Sequence, residues 1–433
     1  MWYISDVVRR LEEEGKVLNL KKPLKDVYEP TKWLLESDKL GKAVRFDVEG
    51  KKPSCVGNVI ARRETLYEIL NVKGDFEAYE KLIASMSVKH GDSWYVEENF
   101  WEHYVRYEGS FEDLPAIKFF ERDGGKYITS SVVIAEASDV KSYNASVHRL
   151  MLVPGKGFAI RIVPRHLYRI YEFNRGLGRE TPIAIAIGTH PLALLSASIS
   201  PPYGVFEFAL ASYLASSKVP IVKTPMYGLP VVAGTSVVIE GRITEEFVDE
   251  GPFVDLLSLY DVVRKQPLIK VDSIYVNKEE PLFHVILPGG SEHKILMGFS
   301  REAFIWDAVR KVVPKVVKVR LTNGGGGWLH AVVSIEKNHD GDSKNAIMAA
   351  FAAHQSLKHV VVVDSDVDPD SPEEVEWAIA TRFQASKGLI VIKDARGSTL
   401  DPSSSDGLTD KVGIDATTPT KERIKYLKPK VPL

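Results

Sequence analysis

The chain has 433 residues, 44% hydrophobic and 26% charged, with a net charge of −2 and a single cysteine, Cys55. That length is too great for one compact core and predicts two or three domains. The charge excludes the broad basic face of a nucleic-acid binder; the lone thiol excludes an intrachain disulfide or a thiolate metal cluster and fits a reducing compartment.

No apolar run approaches the roughly 18 residues of a membrane span. The start, MWYISDVVRRLEEEGK, holds acids and no cleavable apolar core, so a cytoplasmic protein is expected. Ser5 is placed to cap a first helix through DVVRRLEEE, with Val7, Val8 and Leu11 on one face and Gly15 at its end. Further helical runs at RRETLYEIL and DFEAYEKLIASM predict a small N-terminal α+β domain over 1–108.

From about 109 to 296 the texture changes. HRLMLVPGKGFAIRIV reads as strand, Pro-Gly turn, strand. TPIAIAIG, VPIVKTPMYG and VVAGTSVVIEGRI are Val- and Ile-rich strand candidates, and PRHLYRIYEFNRG and VFEFALASYLA are helical. A β-barrel or sandwich with helical insertions is expected. From 297 to 433, helix and strand patterns alternate through REAFIWDAVRKVV, VVKVRL, LHAVVSIEK, SKNAIMAAFAAHQSL, KHVVVVDSD, SPEEVEWAIATRF and GLIVIKD. That is the signature of an α/β domain with a parallel or mixed sheet. The basic tail TKERIKYLKPKVPL reads as a helix followed by an extended arm.

Two tempting motifs fail. The glycine run Gly324 to Gly327 is followed by Trp328, with no Gly-Lys-Ser/Thr, so it is a turn and not a phosphate loop. Asp364, Asp366, Asp368 and Asp370 have calcium-loop spacing, but Pro369 stands where that loop needs glycine and Val375 where it needs glutamate. A solvated connection with acids at a helix N-terminus accounts for them.

Another set holds together. Asn144 and Arg149 lie at the entry to a predicted strand, while His166 and Glu207 each open a predicted helix. Amide oxygen, imidazole and carboxylate suit a hard divalent ion better than structural zinc. Further on, DEGPFVD brackets a Gly-Pro pair with two acids, Glu250 and Asp255. By itself that stretch is an ordinary solvated turn.

Taken in order, these elements resemble the UbiD family of decarboxylases, which use prenylated FMN. The segment Asn144, Ser146, Arg149 is similar to the family's N-x-S-x-x-R strand. Ser198, Pro202, Gly204 and Glu207 match its S-x-x-x-P-x-G-x-x-E element, and Lys411 of LTDKVGIDAT matches a lysine near the cofactor. The resemblance implies three domains: N-terminal α+β, a central split β-barrel like flavin reductases, and a C-terminal α/β domain that mediates a homodimer or larger assembly. It implies that Asn144, His166 and Glu207 hold Mn²⁺ or Mg²⁺, with a potassium ion alongside. Ser146, Val147, Arg149, Arg165, His166, Ser198, Glu207 and Lys411 then form the cofactor site, and a UbiX-type prenyl-FMN synthase supplies the flavin. Glu250, Arg149 and Asp255 become one hydrogen-bonded catalytic network, Glu250 delivering the proton and Asp255 tuning it. Two departures stand out: Val254 where many members have Gly, and Arg165 where some have Gln.

The chain's length is most like that of the archaeal members that take trans-anhydromevalonate 5-phosphate to isopentenyl phosphate. His293 and Lys294, in LPGGSEHKILMG, are placed to meet such a phosphate. An aromatic or polyprenyl-hydroxybenzoate decarboxylase is the alternative, and a flavin-binding protein without decarboxylase activity is a second.

Overall fold

A computed structural model describes residues 2–88, 93–426 and 429. Its contacts divide the chain into two compact units: Met1–Gly74 with Ala84–Leu296, and Asp75–Ile83 with Met297–Leu433. The N-terminal region, expected as a domain of its own, is stitched into the first unit by strand pairing. Cys55–Gly57 pairs in parallel with Phe283–Val285, and Tyr95–Glu98 with Val219–Lys223. The first helix, Ile4–Glu13, begins after Tyr3; Ser5 lies buried in its first turn and does not cap it.

The centre of the first unit is an antiparallel barrel. Its strands follow the order Val237–Glu250, Thr181–Ile187, Tyr127–Ala137, Ser142–Val153, Gly157–Ile160 and Arg264–Asn277, and the last pairs back with the first. Valines and isoleucines of these strands, among them Val133, Ile185, Ile239 and Ile269, fill a dry interior. Three helices bear on this barrel's site: His166–Gly176, Pro191–Ser198 and Glu207–Ala215.

Two features of the barrel create room for chemistry. Strand Ser142–Val153 is paired on both sides only at Leu150 and Met151; earlier residues have a strand neighbour on one side alone. Residues 146–149 are accordingly half-buried in mid-strand. The second feature is the junction at which Glu250 pairs with Arg264. Between those partners the chain makes an excursion built on a small hairpin, Phe253–Val254 against Tyr260–Asp261.

In the second unit a mixed sheet runs Lys315–Leu321, His330–Glu336, His359–Asp364, Leu408–Ala416, Leu389–Arg396, its inner pairs parallel and its outer pairs antiparallel. The acids that mimicked a calcium loop are ion-paired: Asp364 and Asp366 with Arg382, Asp368 with Lys318, and Asp370 with Lys318 and Arg320. Ser371 caps the helix Pro372–Arg382. Of the expected tail helix the described residues form the single turn Arg423–Tyr426, and 427, 428 and the arm at 430–433 lie outside the described residues.

The turn after Glu250 tolerates little. Gly251 has φ +94°, a region that favours glycine. Gly124 donates its amide to the Pro252 carbonyl at 2.8 Å, and a Cβ on Gly124 would lie 2.0 Å from the Gly251 carbonyl oxygen. Gly124→Ala should therefore displace the Gly251–Pro252 backbone and cost roughly 1–3 kcal/mol. The check is a denaturant midpoint beside an activity assay: stability and turnover should fall together.

Candidate active site

Arg149 projects from the half-buried stretch of Ser142–Val153 and meets Glu250 at the end of Val237–Glu250. Its Nε and Nη2 donate to the two Glu250 oxygens at 2.8 and 2.9 Å, the paired geometry a guanidinium makes with a carboxylate. Glu250 is fully buried. Tyr127 donates to the same Oε1 at 3.2 Å and accepts the Gly251 amide at 3.1 Å. The Phe253 ring lies 4.0 Å from that of Tyr127 and 5.0 Å from the Arg149 guanidinium carbon. Arg149 Nη1 bonds to nothing among the described residues.

The expected network of Glu250, Arg149 and Asp255 is corrected in one member. The second acid bonded to Arg149 is Asp261, with Oδ2 3.3 Å from Nη2. Asp255 instead accepts the amides of Leu257, at 2.7 Å, and Leu259, at 3.3 Å, closing its own turn. Burial raises the Asp255 carboxyl above its ordinary value; those two amides and Arg149 oppose the shift, while the charge of Asp261 adds to it. The turn at Gly289 packs against Ser258 and the Asp255 carbonyl. His293, near Arg149, accepts the Gly289 amide through Nδ1, and burial with the charges of Lys294 and Arg149 pushes its pKa down to about 4. Its proton then resides on Nε2.

A second cluster gathers Asn144, His166 and Glu207. Glu207 is 2% exposed; its Oε2 accepts the Ala145 amide at 2.7 Å, and Oε1 lies 3.9 Å from His166 Nδ1. Tyr203 packs edge-on against His166. The orientation of Asn144 follows from a chain of donors. His148 Nδ1 must donate to the Arg161 carbonyl, at 2.9 Å, because a carbonyl only accepts. Burial, aided by Arg165, lowers the His148 pKa to about 4, so the ring is neutral and its Nε2 accepts from Ser146. Ser146 in turn accepts from Asn144 Nδ2 at 3.0 Å. Among the described residues Asn144 Oδ1 is left buried without a hydrogen-bond partner. An orphaned acceptor beside a buried carboxylate and an imidazole fits a hard cation.

The other expected cofactor residues are dispersed in role. Val147 is half-buried on the same strand, and Arg165 is exposed at the head of His166–Gly176, 3.4 Å from Ser200. The Ser198 hydroxyl faces the Leu195 and Leu296 carbonyls. Lys411 belongs to the second unit, where its ammonium donates to the carbonyls of Gln355, at 2.5 Å, and Leu357, at 2.9 Å. Those carbonyls lie in the connection that leads into strand His359–Asp364, beside the strand of Lys411. Sequence reasoning missed Tyr127, His148 and Asp261; only the position of His148 beside Arg149 offered any signal.

The fold and this site define a flavin-type decarboxylase architecture, and the chain belongs to the UbiD family. Residues 96–291 match the 3-octaprenyl-4-hydroxybenzoate carboxy-lyase Rift-related domain, and 294–416 the C-terminal domain of the same enzymes. Anhydromevalonate phosphate decarboxylase of Aeropyrum pernix is 48% identical over 405 residues, 94% of this chain and 91% of that protein. The protein of that name from Methanocaldococcus jannaschii is 43% identical over 392 residues, 89% of this chain and 91% of its own. Among solved structures, the UbiD-class enzyme HmfF from Pelotomaculum thermopropionicum in complex with FMN superposes with a TM-score of 0.94 at 35% identity, covering 99% of this chain and 97% of HmfF. An evolved dimeric form of HmfF in complex with prFMN gives 0.90 at 32% identity, with the same coverage.

Removing one partner of the Arg149 pair leaves a buried charge without its counter-ion. Glu250→Ala should destabilise the fold by about 3–5 kcal/mol, whereas Tyr127→Phe, which deletes one bond to Glu250, should cost only about 1 kcal/mol. Paired denaturation curves decide it; equal losses would contradict the ranking.

Proposed function

We propose that this protein is a prenylated-FMN-dependent decarboxylase that converts trans-anhydromevalonate 5-phosphate to isopentenyl phosphate and CO₂. The observation that carries the reading is the Arg149–Glu250 ion pair beside the buried acid Asp255. The activity named for the Aeropyrum and Methanocaldococcus relatives supports the substrate.

In the reaction the bond to the carboxylate breaks, its electron pair stays on the substrate carbon, and a proton takes the place of CO₂. When bound, the cofactor supplies the sink for that electron pair. The chain's own residues do the rest. Arg149 has Nη1 unengaged and can orient the substrate carboxylate. Asp255, whose burial favours the protonated form, delivers the proton. Glu250 is given a different task from the one expected of it: three bonds from Arg149 and Tyr127 occupy its two oxygens, so it anchors the guanidinium. His293, neutral and with a proton on Nε2, is a donor for the substrate's second anionic group, with Lys294 beside it.

Asn144, His166 and Glu207 would hold Mn²⁺ or Mg²⁺, and Ser146, Val147, Arg165 and Ser198 lie on the elements around that cluster and would contact the flavin. A UbiX-type synthase would supply the cofactor. Self-association is part of the reading, and an evolved form of the relative HmfF is dimeric. Among the described residues no helix is long and apolar enough to cross a membrane.

Asp255→Asn keeps the size of the side chain and removes its acidic proton. Loaded with prenylated FMN, that variant should fold and bind cofactor normally but release CO₂ roughly 10²–10⁴ more slowly. Near-normal single-turnover release would return the acid role to another group. Separately, Glu207→Ala should purify folded with much less bound manganese and flavin, read by elemental analysis and absorbance. Undiminished metal in that variant would sink the assignment of the cluster.

A further inference from the structure

Asp261 has no part in the steps above, yet it is the most heavily contacted carboxylate of the cluster. It lies opposite Phe253 in the small hairpin and its side chain is 11% exposed. Oδ2 is 3.3 Å from Arg149 Nη2 and 3.9 Å from Arg161 Nε. Oδ1 accepts a short bond from Arg264 Nη1 and the Val262 amide at 2.9 Å. Three guanidinia therefore converge on one carboxylate. Among the described residues the Arg161 guanidinium is otherwise held only by the Ile162 carbonyl, at 3.3 Å. Burial alone would raise Asp261, but its bond from Arg264 and the charges of Arg149, Arg264 and Arg161 outweigh burial and hold it below the ordinary carboxylate range. It is a fixed negative charge.

We infer that Asp261 is a positioning residue for decarboxylation: it holds the Nη2 edge of Arg149 that Glu250 also holds, leaving Nη1 as the edge offered to substrate, and it sets a permanent negative charge beside Asp255. The inference rests on the reading of Asp255 as the acid. Asp255 continues the same hairpin, next to the Val254–Tyr260 rung, and its amide donates to the Leu259 carbonyl at 2.8 Å; the charges acting on it are those of Asp261 and Arg149, with Arg161 and Arg264 around Asp261 and neutral His293 near Arg149. Arg149 favours loss of the Asp255 proton, and Asp261 opposes it. An acid that must be protonated beside a guanidinium needs such a counter-charge.

The sign follows. Without Asp261, Arg149 acts on Asp255 unopposed, the proton is lost at lower pH, and the alkaline limb of activity moves down. The experiment compares wild type, Asp261→Asn and Asp261→Glu, each loaded with prenylated FMN, in single-turnover CO₂ release from the phosphorylated unsaturated acid across pH. Asp261→Asn should shift the alkaline limb down by roughly one pH unit and raise KM severalfold as Arg149 loses a tether; Asp261→Glu should restore the limb. A wild-type limb and KM in Asp261→Asn would overturn the inference. A second measurement needs no turnover: infrared difference spectra against Asp255→Asn follow the Asp255 carboxyl directly. Its titration should fall in Asp261→Asn, and an unmoved titration would equally overturn the proposal. If wild type releases no CO₂ from this acid, the substrate reading fails alone, because the infrared titration still decides the role of Asp261.

Discussion

The buried pair between Arg149 and Glu250 is the constraint on which the site depends. A guanidinium held in the middle of a barrel strand loses much of its hydration, and only a carboxylate in paired geometry offsets that loss. The carboxylate must then be fixed as closely as the arginine. Glu250 is fixed three times: by its place at the end of a barrel strand, by the Tyr127 hydroxyl, and by the turn that follows it. Tyr127 stands on the strand next to that of Arg149, and its ring meets Phe253, which also flanks the guanidinium. Barrel register, aromatic packing and charge pairing all bear on the same few atoms.

The barrel also explains why chemistry sits on Ser142–Val153. Here the partner Gly157–Ile160 covers the far end alone, and the stretch before it carries buried Asn144 and half-buried Ser146, His148 and Arg149. One strand thus serves two clusters. Its start faces the Glu207 carboxylate, and its middle faces Glu250. The neutral His148 ring ties the two together, since it fixes Ser146 and through it the Asn144 amide while neighbouring Arg149 in sequence.

Legibility followed physical signal. Amphipathic helices and Val-rich strands of the second unit could be read because their burial imposes periodicity. Strand Tyr127–Ala137 could not: it is buried on both faces, so it lacks alternation, and a run of Thr and Ser masks its apolar content. Helix Pro191–Ser198 is apolar all round and equally without period. Strand Arg264–Asn277 carries charges and a proline, and bulges in its pairing break the pattern. Within the site, Asn144, His166, Glu207 and the two acids of DEGPFVD were legible through motif spacing. Asp261 and Tyr127 acquire meaning only from the hairpin and from barrel register, neither of which leaves a local signature. The exchange of roles proposed for Glu250 and Asp255 has the same origin: spacing identifies two acids, but only hydrogen bonds tell an anchored carboxylate from one that can hold a proton.

Val254 connects these points. It is buried and paired with Tyr260. A β-branched residue prefers extended backbone and has few rotamers to lose, so it favours the short strand Phe253–Val254 where glycine would loosen it. The next rung of the same pairing is Phe253 with Asp261. Stiffening one rung holds the other, and the held rung carries both the ring beside Arg149 and the carboxylate bonded to it. Val254 and Asp261 are then two parts of one device, a hairpin whose paired rungs hold an aromatic ring and a carboxylate against the arginine.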